Sequence, residues 1–147
     1  MSKKITSILL VGILFLSCSL SSSALSLEQR SGIMILQDPR FQGLISITTS
    51  LEEDPVGYAC PVYTFVCDLT KMDRLRVKTT LQKYSGGWQD IKTWDKTIVL
   101  SESVYTYYEE YKVTDRNKSY RFLFYIEAKM GSTIVDTTSG ESLARVI

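Results

Sequence analysis

The sequence predicts an all-β protein, a single antiparallel β-sandwich of seven or eight short strands. Three observations carry this. Beyond its first 26 residues the chain is rich in Thr, Val, Ile and Tyr and repeats with period two, the pattern of strands with one buried face. Clusters of Gly, Asp, Asn and Ser interrupt these runs at the short spacing of sandwiches and barrels. No run with the 3.6-residue period of an amphipathic helix competes with them.

Residues 1–26 read as a signal peptide. Lys3 and Lys4 form a basic head, Ile8 to Leu16 form an apolar run broken only by Gly12, and Ser22-Ser23-Ala24-Leu25-Ser26 supplies small residues for cleavage. The apolar run is shorter than the roughly 20 residues that span a bilayer, so no transmembrane segment is expected in the mature chain. The expected location is secreted or extracellular. Cys18, within Leu16-Ser17-Cys18, offers an alternative: lipid attachment at the cell surface, with the following serines as a tether, although Phe15 stands where a Leu is expected.

Residues 27–40 are set apart as an N-terminal segment, and 41–147 form the predicted sandwich. Gly43–Ser50 and Tyr58–Leu69 are its first strands, joined by an acidic loop, Glu52-Glu53-Asp54-Pro55. Arg74 to Gln82 shows the clearest alternation: Leu75, Val77, Thr79 and Leu81 share one face, with Arg74, Arg76 and Lys78 on the other. Ser85-Gly86-Gly87 then marks a hairpin into Trp88–Trp94. In a regular strand Trp88 and Trp94 share a face. Tyr105, Tyr107, Tyr111 and Val113 mark another strand, with Glu109 breaking its apolar face. After Asp115-Arg116-Asn117-Lys118, the residues Tyr120, Phe122, Phe124, Ile126 and Ala128 share one face. Gly131-Ser132 leads into a last strand, Thr133–Thr138.

Composition excludes several functions. Removing Lys3 and Lys4 from 17 basic residues leaves 15 against 16 acidic ones, so there is no basic footprint for nucleic acid. The chain has no histidine, which removes nucleophile sites with an imidazole base and histidine-ligated zinc. No cofactor or metal site is expected. Asp115, Asn117 and Ser119 begin like a calcium loop, but Tyr120 replaces its glycine and Ile126 its final glutamate, so a polar turn is expected. Glu109 and Glu110 are strand neighbours pointing to opposite faces, which does not make a carboxylate pair for hydrolysis. The chain is therefore expected not to be an enzyme.

The stretch Leu75–Val135 is similar to the second half of a fibronectin type III-like, immunoglobulin-like sandwich. The residues that carry this are the strand end Leu81-Gln82-Lys83, the hairpin Gly86-Gly87-Trp88-Gln89-Asp90-Ile91, and Val113 followed by Tyr120-Arg121-Phe122. The last piece resembles a tyrosine corner, in which a phenol hydroxyl bonds backbone upstream. Leu81-Gln82, Trp88, Ile91 and Trp94 with the later Tyr120-Arg121 also resemble small secreted proteins of Gram-positive bacteria whose function is not characterised. The resemblance implies fold and compartment and no activity.

Two sets of residues are candidate sites. Cys60 and Cys67 are the cysteines outside the leader, and export suggests a disulfide. A straight strand would hold them about 23 Å apart, whereas a bridge needs Cα atoms within about 7 Å, so the bridge requires a turn near Pro61. Both readings stay open. Trp94, Tyr105 and Tyr107 are candidates for stacking on sugar rings, against the alternative of core packing. The expected function is non-enzymatic binding or structural work at the cell surface or in the medium. An extracellular protein is the expected partner. The alternative is a carbohydrate-binding module with a glycan ligand, and exposure of Trp94 separates the two. The intact mass of the exported protein should correspond to a chain beginning after Ala24 or Ser26; an acylated Cys18 at its start would instead give the lipid-anchored form.

Overall fold

In the computed structural model, which describes residues 33–147, the period-two runs form ten strands and, among the described residues, no helix. The signal segment and Cys18 lie outside the described residues. The strands are β1 (Ile33–Leu36), β2 (Leu44–Glu53), β3 (Tyr58–Cys67), β4 (Arg74–Tyr84), β5 (Trp88–Val99), β6 (Val104–Tyr108), β7 (Tyr111–Lys112), β8 (Ser119–Met130), β9 (Thr133–Glu141) and β10 (Arg145–Val146). All pair antiparallel. The first sheet runs β1, β2, β3, with β6 and β7 both along the far side of β3. The second runs β5, β4, β8, with β9 and β10 both along the far side of β8. The ten segments thus occupy eight strand positions. Hairpins β2–β3 and β4–β5 lie in opposite sheets, β6–β7 returns to the first and β8–β9 to the second, an immunoglobulin/fibronectin type III-like sandwich. β1, in the segment set apart from the sandwich, extends the first sheet by pairing with β2. Glu52 and Glu53 continue β2, and the turn falls at Asp54 to Gly57.

Pro61 explains why β6 and β7 are separate. It sits inside β3, where both sides carry neighbours. Its carbonyl accepts from Glu109 N–H at 3.2 Å, so the side of Pro61 facing that chain has an acceptor but no N–H. Proline cannot complete a ladder pair, and the neighbouring strand breaks at Glu109 and Glu110, opposite it.

The alternating apolar residues meet between the sheets. Leu75, Val77, Leu81, Tyr120, Phe122, Phe124 and Ile126, the inward set of β4 and β8, are all buried. From the first sheet they meet Ile47, Leu51, Tyr63 and Phe65. Tyr63 is the centre: its ring lies within about 6 Å, centroid to centroid, of Phe65, Tyr107, Phe122 and Phe124. Its hydroxyl shares a 2.7 Å hydrogen bond with Thr79 of the opposite sheet, and both residues are fully buried. The expected tyrosine corner forms: Tyr120 Oη donates to the Asp115 carbonyl at 2.6 Å. Asp136 on β9 is buried and accepts from the N–H groups of Gln42, Gly43 and Leu44 at 2.8, 2.6 and 2.9 Å, which ties the start of β2 to the second sheet.

Two substitution sets test this core. Tyr63→Phe and Thr79→Val each leave a buried hydroxyl unpaired and should cost about 1–3 kcal/mol, while the double variant should lose less than the sum of the two. Thr49 is fully buried, and its hydroxyl has no partner among the described residues. Thr49→Val should therefore stabilise by about 1 kcal/mol. Urea unfolding midpoints check both, and additive costs in the first set would remove the cross-sheet bond as a stabilising element.

Candidate functional site

Alternation that sends one face of each strand inward leaves the other outside, and the two outer faces differ in chemistry. On the second sheet the outward residues of β4, β5 and β8 include Arg76, Lys78, Asp95, Arg121, Glu127 and Lys129. All of them but Lys78 have a charged partner nearby. Arg76 meets Asp95 at 2.7 Å, Lys129 meets Glu127 at 2.8 Å, and Arg121 meets Glu141 at 2.7 Å. The Lys129 hydrogen bond, followed by smaller contributions from Tyr125 and Arg76, holds the Glu127 carboxyl below its usual range. Arg121 also donates to Gln82 and lies over the Trp88 ring, 4.3 Å from its centroid. Tyr84 meets the same indole edge-on.

Where β2, β3 and β6 run side by side on the first sheet, the outward residues are Ile35 on β1, Ser46, Thr48 and Ser50 on β2, Val62, Thr64 and Val66 on β3, and Val104, Thr106 and Tyr108 on β6. None carries a charge. They align across the strands: Thr48, Thr64 and Thr106 form one row, Ser46, Val66 and Val104 a second, and Ser50, Val62 and Tyr108 a third. Ile35, Val104 and Tyr108 are more than half exposed. Carboxylates bound this neutral patch: Glu52, next after Ser50 on the same face of β2 and an acceptor for the Ser50 hydroxyl at 3.0 Å, and Glu109 and Glu110, which follow β6. The neutral face with its acidic rim is the candidate functional surface.

The residues singled out from the sequence lie elsewhere. Cys60 and Cys67 are both buried and free, at opposite ends of β3. This corrects the disulfide expectation. Pro61 interrupts the neighbouring strand rather than turning its own, so the eight residues from Cys60 to Cys67 run as one unbroken extended stretch that holds the thiols apart. Burial pushes the Cys67 thiol up to about 11. Burial also raises Cys60, helped by the charges of Glu110, Asp54 and Glu52. Thiols so placed stay protonated at neutral pH and are poor nucleophiles.

Trp94 is only 9 % exposed and belongs to the core. The expectation that Trp88 and Trp94 share a face fails at one residue. A bulge at Ile91 shifts the β4–β5 register, so Trp88 pairs with outward-facing Tyr84 while Trp94 pairs with inward-facing Thr79. Tyr105 and Tyr107 are half-buried against the core from β6, in the other sheet. The structure therefore does not combine Trp94, Tyr105 and Tyr107 into an open stacking platform. Glu109 and Asp115 are each engaged: Tyr107 donates a hydrogen bond to Glu109, and Lys83 meets Asp115 at 2.5 Å. The neutral face was missed from the sequence. Its available signal was the stretch Tyr58–Cys67, ten residues without a single charge on either face.

No protein-family model matches the chain, and no curated protein does. Among solved structures, the chain is similar to a β-glucuronidase of Bacteroides uniformis, with 16 % identity and a TM-score of 0.40. It is also similar to β-glucuronidase 2 of Bacteroides uniformis covalently bound to cyclophellitol-6-carboxylate aziridine, with 16 % identity and a TM-score of 0.39. In each case 75 % of this chain aligns with 14 % of the other, so the chain spans about one seventh of those enzymes. Similarity at this level carries no argument for function.

The buried acids set a pH dependence. Tyr63 is pushed well above an ordinary phenol by burial. Tyr107 is pushed up by burial and then by its bond to Glu109. With Cys67, they keep their protons in the folded chain at pH values where the unfolded chain releases them. The folded state then binds more protons than the unfolded one, so stability falls as pH rises. Urea midpoints should hold steady near neutrality and decline above about pH 9, where unfolded thiols and then phenols ionise. A midpoint that is flat or rising to about pH 11 would contradict this placement of the three groups.

Proposed function

We propose that this is an exported, non-enzymatic binding module that engages a protein partner through the outer face of its first sheet. The observation that carries the reading is the contrast between the two faces. The outer face of the second sheet engages most of its charges in internal ion pairs. The outer face of the first presents rows of Ser, Thr, Val, Ile and Tyr with no charge among them. Charge depletion with exposed aromatic and aliphatic residues is the composition of the centre of a protein interface, and the carboxylates beyond it suit a polar rim. The carbohydrate alternative loses its main platform with Trp94 buried. The leader motivates the exported location, as does the resemblance to small secreted proteins of Gram-positive bacteria.

The test compares crosslinked partners recovered from culture medium with the parent protein and two variants. Thr64→Lys puts a charge in the middle of the neutral face, and Thr80→Lys puts one on the outer face of the second sheet. A partner recovered by the parent and Thr80→Lys but lost by Thr64→Lys supports the reading. Loss by Thr80→Lys alone would move the site to the other sheet. Hydrolysis of a glycan or peptide by the purified protein, abolished by changing one carboxylate to its amide, would replace the binding reading with an enzymatic one.

A further inference from the structure

A sheet edge offers backbone hydrogen bonds to any extended chain, and stable proteins protect their edges with charge, bulges, proline or brevity. Three edges of this sandwich follow that rule. β5 exposes Asp90, Lys92, Asp95 and Lys96 and carries the bulge at Ile91. β9 is bulged at Val135. β1 spans four of the described residues. The fourth edge, β6, is five residues long and has none of the other three defences. It reads Val104-Tyr105-Thr106-Tyr107-Tyr108, with no charge, no proline and an unshifted register against β3. Among the described residues, nothing pairs with its other side.

The open hydrogen-bonding groups of β6 can be named. Cys67 N–H donates to the Ser103 carbonyl at 2.7 Å, and Glu109 N–H donates to the Pro61 carbonyl at 3.2 Å. The odd-numbered residues therefore turn their backbone groups toward β3. In a ladder the N–H and C=O of one residue point the same way and alternate along the strand. The N–H and C=O groups of Val104, Thr106 and Tyr108 thus face the open side. Their side chains belong to the neutral outer face.

We propose that β6 binds an extended peptide segment of a partner protein by strand addition, and that the segment carries basic residues flanking a neutral centre. This rests on the protein-binding reading above and names the strand and the partner's chemistry. The charges at the two ends of β6 choose the occupant. Exposed Glu102 precedes the strand and exposed Glu110 follows it. Antiparallel pairing of two copies about Thr106 would set Glu102 opposite Glu110 at both ends, and like charges directly opposed destabilise a ladder. The same two carboxylates favour an incoming strand with Lys or Arg eight residues apart, the separation of Glu102 and Glu110. Between those cations, alternate Thr or Val side chains would continue the rows of Val104, Thr106 and Tyr108. Main-chain bonds would supply affinity and the two ends would supply register.

The probe is a synthetic peptide of alternating Thr and Val with a lysine at each end, spaced to meet Glu102 and Glu110. It is titrated into the purified protein and followed by amide chemical shifts. The expected result is binding that shifts the amides of Val104, Thr106 and Tyr108. Binding should weaken by at least about tenfold when alternate peptide nitrogens are methylated, and also in Thr106→Pro, which removes an open N–H without touching a bond to β3. The double charge reversal Glu102→Lys, Glu110→Lys should switch preference to a peptide with glutamate ends. It keeps the test alive should Thr106→Pro not fold. Equal affinity for the methylated peptide, or for lysine and glutamate ends in the parent, would overturn the proposal. So would a dimer of the purified protein that Thr106→Pro dissolves, which would assign the edge to a second copy. With the natural partner, capture retained by Thr106→Pro but lost by Thr64→Lys would overturn strand addition while leaving the binding face intact.

Discussion

The constraint on which the rest of this sandwich depends is the position of Tyr63. A phenol in the middle of a core must find a partner for its hydroxyl, because burying the group unpaired is costly. Only one side chain serves it, Thr79 on the facing sheet. That single bond fixes how β3 lies over β4. The ring then sets the layer around it, with Phe65 stacked along its own strand, Tyr107 on the adjacent one, and Phe122 and Phe124 from the opposite sheet. Elsewhere buried polar side chains are satisfied by backbone instead: Tyr120 bonds the carbonyl of Asp115, five residues upstream, and Asp136 bonds the start of β2, more than ninety residues away.

With the inner faces committed to this core, the functional surface must come from the outer faces, edges and loops. Ion pairs and the stacking of Arg121 on Trp88 occupy the outer face of the second sheet. Charges that bind one another are solvated and self-satisfied, so they gain little from a partner that would have to strip water from them. The first sheet is the reverse case. Its neutral rows give up little hydration when covered, and its β6 edge leaves backbone groups open. Both properties trace back to β3, which supplies no charge to the face. Through Pro61, β3 also ends β6 before it can run on into β7.

The aromatic residues show how far a one-dimensional pattern carries. Phe122, Phe124 and Tyr120 were legible as core because β8 alternates cleanly from Ser119 to Ile126. Trp88 and Trp94 were not, because one bulged residue, Ile91, inverts the parity between them. A bulge leaves no mark in a sequence of mixed polar and apolar residues. The same limit applied to Glu109 and Asp115, whose partners Tyr107 and Lys83 depend on local chain path and on strand packing.

What the sequence by itself determined was the fold class, the inward faces of β4 and β8, the hairpin at Gly86 and the tyrosine corner. Each follows from local rules: period two, glycine at a turn (here with φ of 72°), and a tyrosine at the entry to a strand. What only the tertiary structure decided was which strands lie at edges, what faces solvent on the far side of each sheet, and that Cys60 and Cys67 stand at the two ends of an unbroken strand. Those depend on neighbours distant in sequence. Alternation gives a strand two faces, but only its place in the sandwich decides which face and which edge meet another chain.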